Sequence, residues 1–281
     1  MSNVVAILGC GNMASALITG AWQQLSEIEK SQLEFLTYTP TQVRAQTLAQ
    51  VVGGRAVSSM QELPVCDVYV IGCKPQQFDT LARDLRPLLK GHEIIISMMA
   101  ALATDLITQA LGGHSRVMRI MPNTPNLVGS GVNLFYSSVK IELPVREYWY
   151  SFFGRIGKSF IFENEELLDN ATPYSGSGPG IIFEWARLWS SSLEQKGISA
   201  QAAREIIVGT LLGSAKMMQM QSQDLEILRN QVTSQGGVTA KALEVFSKYD
   251  LGEIIEEAMQ NALTRGDEIR NGFKHNLKDE K

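Results

Sequence analysis

A chain of 281 residues has room for two domains at roughly 150 residues apiece. Apolar residues at 44% and charged residues at 19%, with a mean hydropathy of −0.02, exclude a disordered or collagen-like chain. With 29 acidic and 25 basic residues the formal charge is −4; this excludes a general electrostatic grip on nucleic acid or an anionic membrane surface, so any bound anion must be held by local groups.

In chain order, residues 1–26 carry no charge and the first basic residue is Lys30, so the basic start of an export signal is missing. Val4–Leu8, Glu34–Tyr38, Val68–Gly72, Glu93–Ser97 and Arg116–Met121 read as buried strands. Helix-period apolar residues separate them, as in Leu17, Ile18, Trp22 and Leu25, then Leu81, Leu85, Leu88 and Leu89. Such alternation predicts a Rossmann-type, doubly wound parallel sheet. The uncharged stretch Ile120–Val139 contains Pro122, Pro125 and three asparagines, a composition unsuited to a membrane-spanning helix of about 20 apolar residues. Beyond about residue 164 the stretches Leu167–Lys196, Ala200–Gln221 and Leu251–Asn271 have the spacing of amphipathic helices. The expected organisation is therefore an α/β domain over residues 1–164 and an all-α domain over residues 165–281. Trp185, Trp189 and Leu193 share one helical face, as packing residues do.

Three cysteines, Cys10, Cys66 and Cys73, are odd in number and scattered, which fits a reducing cytoplasm better than a disulfide framework. They form no zinc site with His92, His114 and His275, and no metal is expected. His92 and His114 each follow a glycine and His275 lies in a charged tail, so all three are expected at the surface. With no histidine placed as a general base, hydride transfer to a carbon–nitrogen double bond is favoured, because an imine nitrogen can arrive already protonated.

The run Val4-Val5-Ala6-Ile7-Leu8-Gly9-Cys10-Gly11-Asn12-Met13-Ala14 leads a strand into a helix. Gly9 suits the tight turn, Gly11 lets the backbone approach a pyrophosphate, and Ala14 lets the helix close on the strand, with free N–H groups at the helix start for phosphate oxygens. A plain strand–turn–helix is the alternative. NAD-specific sites usually end the second strand with a carboxylate for the ribose 2′-hydroxyl; here it ends Tyr38-Thr39-Pro40-Thr41, followed by Arg44. Thr39 and Thr41, with Arg44, suit a 2′-phosphate, so NADP(H) is the expected cofactor and NAD(H) the alternative. Cys73-Lys74-Pro75-Gln76 and Met121-Pro122-Asn123-Thr124-Pro125 each follow a strand, where an α/β sheet places its ligand crevice, though each alone equally suits a rigid turn. Ser175-Gly176-Ser177-Gly178-Pro179-Gly180 precedes one long helix, with Pro179 suited to its first turn. Val232-Thr233-Ser234-Gln235-Gly236-Gly237-Val238-Thr239 precedes another; its glycine pair and hydroxyls suit either a nest for a carboxylate or simple capping.

These five motifs, present in this order over essentially the whole chain, resemble the pyrroline-5-carboxylate reductase family; the Gly213–Met218 run is similar too. The resemblance implies a Rossmann domain, a helical dimerisation domain, and NAD(P)H-dependent reduction of 1-pyrroline-5-carboxylate to proline by a dimer or a ring of dimers. It implies that Gly9, Gly11, Asn12, Met13 and Ala14 hold the pyrophosphate and that Thr39 meets the adenosine ribose or its phosphate. Lys74, Pro75, Asn123 and Thr124 would line the nicotinamide side. Ser234, Gly236, Gly237 and Val238 would receive the substrate carboxylate, and the Thr239 hydroxyl would sit at the ring nitrogen. Gln235, Gly180, Val238, the Met98–Ala101 run, Arg187 and Ser191 depart from the family pattern, mostly toward the substrate side. The alternatives are a reductase of another cyclic imino acid, a diverged paralogue, and a non-catalytic dinucleotide-binding protein. Glu184 reads as a solvent or subunit contact.

Overall fold

A computed structural model describes residues 3–279, with side chains to residue 275. The chain forms two compact units: Met1–Ser177 together with Ala262–Lys281, and Gly178–Asn261 between them in sequence.

The first unit is built on β1 (Asn3–Leu8), β2 (Leu33–Tyr38), β3 (Arg55–Ala56), β4 (Val68–Ile71), β5 (Ile94–Ser97), β6 (Val117–Met121), β7 (Gly131–Ser137) and β8 (Gly157–Ile161). They lie in the order β3-β2-β1-β4-β5-β6-β7-β8. The first six run parallel, while β7 is antiparallel to β6 and β8 is parallel to β7. The order reverses at β1, which pairs with β2 on one side and β4 on the other, and this is the switch point where an α/β sheet opens a crevice.

Helices α1 (Asn12–Gln23), α2 (Glu27–Lys30), α3 (Gln42–Val51), α4 (Pro75–Leu85), α5 (Thr104–Ala110), α6 (Leu143–Gly154) and α7 (Glu165–Thr172) complete the unit. On one sheet face Leu17, Ile18 and Leu25 pack with Ile7, Phe35 and the Trp149, Phe152 and Phe153 cluster of α6. On the other, Leu8, Ile71, Phe78 and Leu85 pack with Phe273 from the far end of the chain. Burying each such side chain contributes about 1.5–3 kcal/mol.

The five strands read from sequence lie where expected; β3, β7 and β8 were not among them. Strand β7 is concealed by its asparagine: Asn133 is fully buried, accepting from Asn126 Nδ2 at 2.8 Å and donating to the Phe153 carbonyl at 3.2 Å. Strand β8 is an edge strand, exposed over most of its length, and lacks the alternation that marks a half-buried strand. His114 corrects the expectation of a surface residue. It is only 9% exposed, and its Nε2 lies 2.9 Å from the Glu93 carbonyl oxygen, because the turn after Gly113 folds back onto the start of β5.

The second unit contains α8 (Gly178–Glu194), α9 (Ala200–Met220), α10 (Leu225–Gln231) and α11 (Val238–Lys248). The last helix, α12 (Leu251–Asp279), begins in this unit and ends in the other. The stretch Leu167–Lys196 is not one helix: α7 stops at Thr172, a π-helical turn covers Pro173–Ser177, and α8 starts at Gly178. Pro173 cannot donate a helical hydrogen bond, which breaks the run there. The Trp185 and Trp189 rings meet at 6.2 Å within α8. Only Pro179, Ala203 and Met259 are buried in this unit, whereas Phe183, Leu212 and Met218 stand among many exposed apolar side chains.

Candidate dinucleotide and carboxylate sites

The turn after β1 is fixed by backbone contact. Gly9 has φ +100°, and a Cβ there would stand 2.7 Å from the Cys73 nitrogen. Facing it, a Cβ on Gly72 would stand 2.5 Å from the Gly9 carbonyl oxygen and 2.7 Å from the Ala14 Cβ. Two glycines and a buried alanine thus let the exits of β1 and β4 touch at the switch point. Gly72 is a site residue that sequence reading missed; the signal available was a glycine closing the strand just before Cys73-Lys74-Pro75. Helix α1 opens at Gly11 with no side-chain cap and no acidic residue in its first turn. Its first N–H groups are left for an anion, as helix geometry dictates.

From this turn a cleft of about 530 Å³ runs outward, lined by Gly9, Gly11, Thr39, Thr41, Arg44, Gly72 and Lys74 among others. Helix α3 begins beside Thr41, again without a side-chain cap or first-turn acid. The β2 end thus offers two hydroxyls, a guanidinium and free N–H groups to a phosphate, and no carboxylate except Asp84 on the α4 wall. These donors fit a phosphorylated ribose.

The remaining expected cofactor residues are placed differently. Met13 is half-buried in α1, and Asn12 lines a separate groove between α1 and the 126–129 turn. Lys74 is exposed at the start of α4, with Pro75 as the first helical residue. Thr124 is exposed but Asn123 is buried, and both ends of its amide are engaged. Its Oδ1 accepts from the Val132 N–H at 2.8 Å and its Nδ2 donates to the Ser175 carbonyl at 3.1 Å, so the side chain braces β7 and the π-turn. Burial pushes the thiols of Cys10 and Cys73 up to about 12, leaving both as thiols at neutral pH despite their position beside the cleft.

In the helical unit, Gly236 has φ +69°, and a Cβ on Gly237 would stand 2.2 Å from Ser234 Oγ. The Gly237 N–H donates to the Ser234 carbonyl at 2.9 Å, closing the loop. Helix α11 then starts at Val238 with no side-chain cap and no first-turn acid, and Val238 and Thr239 are both exposed. Uncapped N–H groups beside the Ser234 and Thr239 hydroxyls suit a carboxylate. Arg187 forks onto Glu184 through two 2.7 Å hydrogen bonds on the exposed face of α8.

The cradle at the switch point and the carboxylate-free end of β2 define a nucleotide-dependent oxidoreductase with a helical second unit. Residues 165–269 match the family model described as pyrroline-5-carboxylate reductase dimerisation. Residues 4–101 match one described as NADP oxidoreductase, coenzyme F420-dependent. The chain is 28% identical over 271 residues to the pyrroline-5-carboxylate reductase of Haemophilus influenzae, covering 96% of this chain and 98% of that one. It is 29% identical over 264 residues to that of Staphylococcus aureus, covering 94% and 96%. A solved pyrroline-5-carboxylate reductase from Coxiella burnetii superposes with TM-score 0.84 at 25% identity, covering 96% of this chain and 99% of that one. The fold is also that of the Plasmodium falciparum pyrroline carboxylate reductase solved with NADP bound, with TM-score 0.81 at 23% identity over 95% and 98% of the two chains. Residues 165–269 thus belong to the pyrroline-5-carboxylate reductase dimerisation family, and the chain is similar to pyrroline-5-carboxylate reductases over nearly its whole length.

Proposed function

We propose that this chain reduces 1-pyrroline-5-carboxylate to proline with NADPH, acting as a homodimer or a ring of dimers. Residues 1–164 would serve the dinucleotide, and residues 165–281 the dimer contacts and the substrate. The observation that carries the proposal is that one chain holds two glycine-built helix starts without a side-chain cap or first-turn acid, at Gly9–Ala14 and at Ser234–Thr239, each suited to an anion.

The bound cofactor supplies the hydride. Gly9, Gly11 and the first turn of α1 take the pyrophosphate, with Asn12, Met13 and Ala14 shaping the turn. Thr39, Thr41 and Arg44 take the 2′-phosphate, and Lys74, Pro75 and Thr124 line the nicotinamide side. Asn123 contributes there by bracing, since both ends of its amide are already bonded. Ser234, Gly236, Gly237 and Val238 hold the substrate carboxylate and so orient the ring, which is most of what this reaction asks of a protein. The Thr239 hydroxyl hydrogen-bonds the ring nitrogen as the carbon–nitrogen double bond becomes single and the nitrogen lone pair forms.

The test is oxidation of NADPH and of NADH by the purified protein, with 1-pyrroline-5-carboxylate and its six-membered analogue as separate substrates. Turnover with the five-membered ring supports the proposal. Preference for the six-membered ring moves the substrate, and no turnover with either favours a non-catalytic dinucleotide binder. Thr239→Ala is expected to keep its NADPH affinity and to lose about 10²–10³ in kcat; a near-normal kcat removes Thr239 from the mechanism.

A further inference from the structure

Ala101 lies at φ +65°, a left-handed conformation that residues with a Cβ rarely adopt. It sits in the loop between β5 and α5, at the carboxyl end of the parallel strands, where ligands of α/β sheets bind. Backbone strain of this kind persists only where the surroundings enforce it.

The surroundings are specific. Arg270, in the last part of α12, donates from Nε to the Ala101 carbonyl at 3.2 Å and from Nη2 to Asp169 at 2.6 Å. Asp169 also accepts from Arg119 at 2.8 Å, and Arg119 reaches Glu165 at 2.8 Å. Glu165 in turn accepts from the Thr104 N–H at 2.8 Å and the Thr104 hydroxyl at 2.7 Å, at the start of α5. Both ends of the 101–104 segment are therefore tied to one ionic network. The other side of the loop bears on the site: the Met98 N–H donates to the Ile71 carbonyl at 2.9 Å, and buried Met99 places Sδ 3.9 Å from Cys73 Sγ. Cys73 leads directly into Lys74 and Pro75.

We propose that Arg270 is a positioning residue for hydride transfer. It holds Ala101 in its strained conformation so that Met99 is pressed against Cys73, which sets the Lys74–Pro75 segment. The kinetic part rests on the reductase reading above; the structural part does not.

Arg270→Ala and Arg270→Lys are to be made alone and combined with Ala101→Gly. Each Arg270 variant is expected to lose about tenfold in kcat, a barrier change of the size that backbone strain represents, with the Kd for NADPH within about twofold. Combined with Ala101→Gly the loss should shrink to about threefold, because glycine occupies the left-handed region without help. Lysine keeps the charge facing Asp169 but loses the guanidinium fork, so Arg270→Lys carries the test if the alanine variant does not fold. Hydrogen exchange of amides 98–103, without substrate, should accelerate in the Arg270 variants, and accelerate less with Ala101→Gly present. An equal kcat loss with and without Ala101→Gly, or unchanged exchange, overturns the proposal. If the wild-type protein turns over no imino acid, the reductase reading fails while the exchange experiment still decides the loop.

Discussion

At the scale of single residues, Gly9 and His114 make opposite demands. Gly9 combines a left-handed backbone with no room for a Cβ, so Gly9→Ala should cost at least about 2 kcal/mol of stability and abolish measurable NADPH binding. Thermal unfolding with a fluorescence titration of NADPH checks both. His114 is a proton-linked liability. Burial lowers its pKa, the bond to Glu93 only partly offsetting it, so the folded chain resists a proton that the unfolded chain accepts near about pH 6.5. Its contribution to stability is thus present above that pH and is lost as the pH falls below it. His114→Gln should flatten the fall in Tm between about pH 7 and 5, and an unchanged slope would assign that fall to other groups. Legibility in sequence followed the same division. Gly9, Gly11 and Ala14 could be read because they fall in one contiguous strand–turn–helix motif. Gly72 showed only as a glycine closing a strand, since its partners arrive through sheet pairing, and alanine at position 101 gives no sign of the φ it adopts.

At the scale of elements, strand periodicity located the parallel core, and uncapped helix starts coincided with the phosphate and carboxylate motifs. Strands β7 and β8 escaped because a buried asparagine and an exposed edge both erase the apolar signal. The Arg119–Glu165–Asp169–Arg270 network escaped because it assembles from β6, α7 and α12, far apart in sequence. Arg119 is wholly buried and supplies charge to two carboxylates that are themselves about four-fifths covered. Breaking such a group by removing one member typically costs about 3–5 kcal/mol. Arg119→Ala should therefore lower stability by about 3 kcal/mol in denaturant titration, a loss far larger than that of Arg187→Ala, whose ion pair with Glu184 is exposed on both sides.

At the scale of the molecule, the helical unit cannot be accounted for as a free surface. Its exposed apolar side chains far outnumber its buried ones, and apolar exposure on this scale marks an association surface. Obligate interfaces commonly bury about 2,000 Å² or more, and residues 165–269 match a dimerisation model. Sedimentation should accordingly find a dimer or larger assembly at submicromolar concentration. Leu212→Glu, which sets a charge among those exposed apolar residues, should weaken it, and a stable wild-type monomer would count against this reading.

The path of α12 bears on the order of events during synthesis. Phe273 is buried against Phe78, their rings 5.7 Å apart, within the core that also holds Leu8 and Ile71. A ribosome makes the Rossmann sheet first and the helical unit next, and only after both does it release the phenylalanine that closes the first core. The nascent nucleotide-binding unit therefore waits with an open apolar slot beside α4 until the whole helical unit has been made.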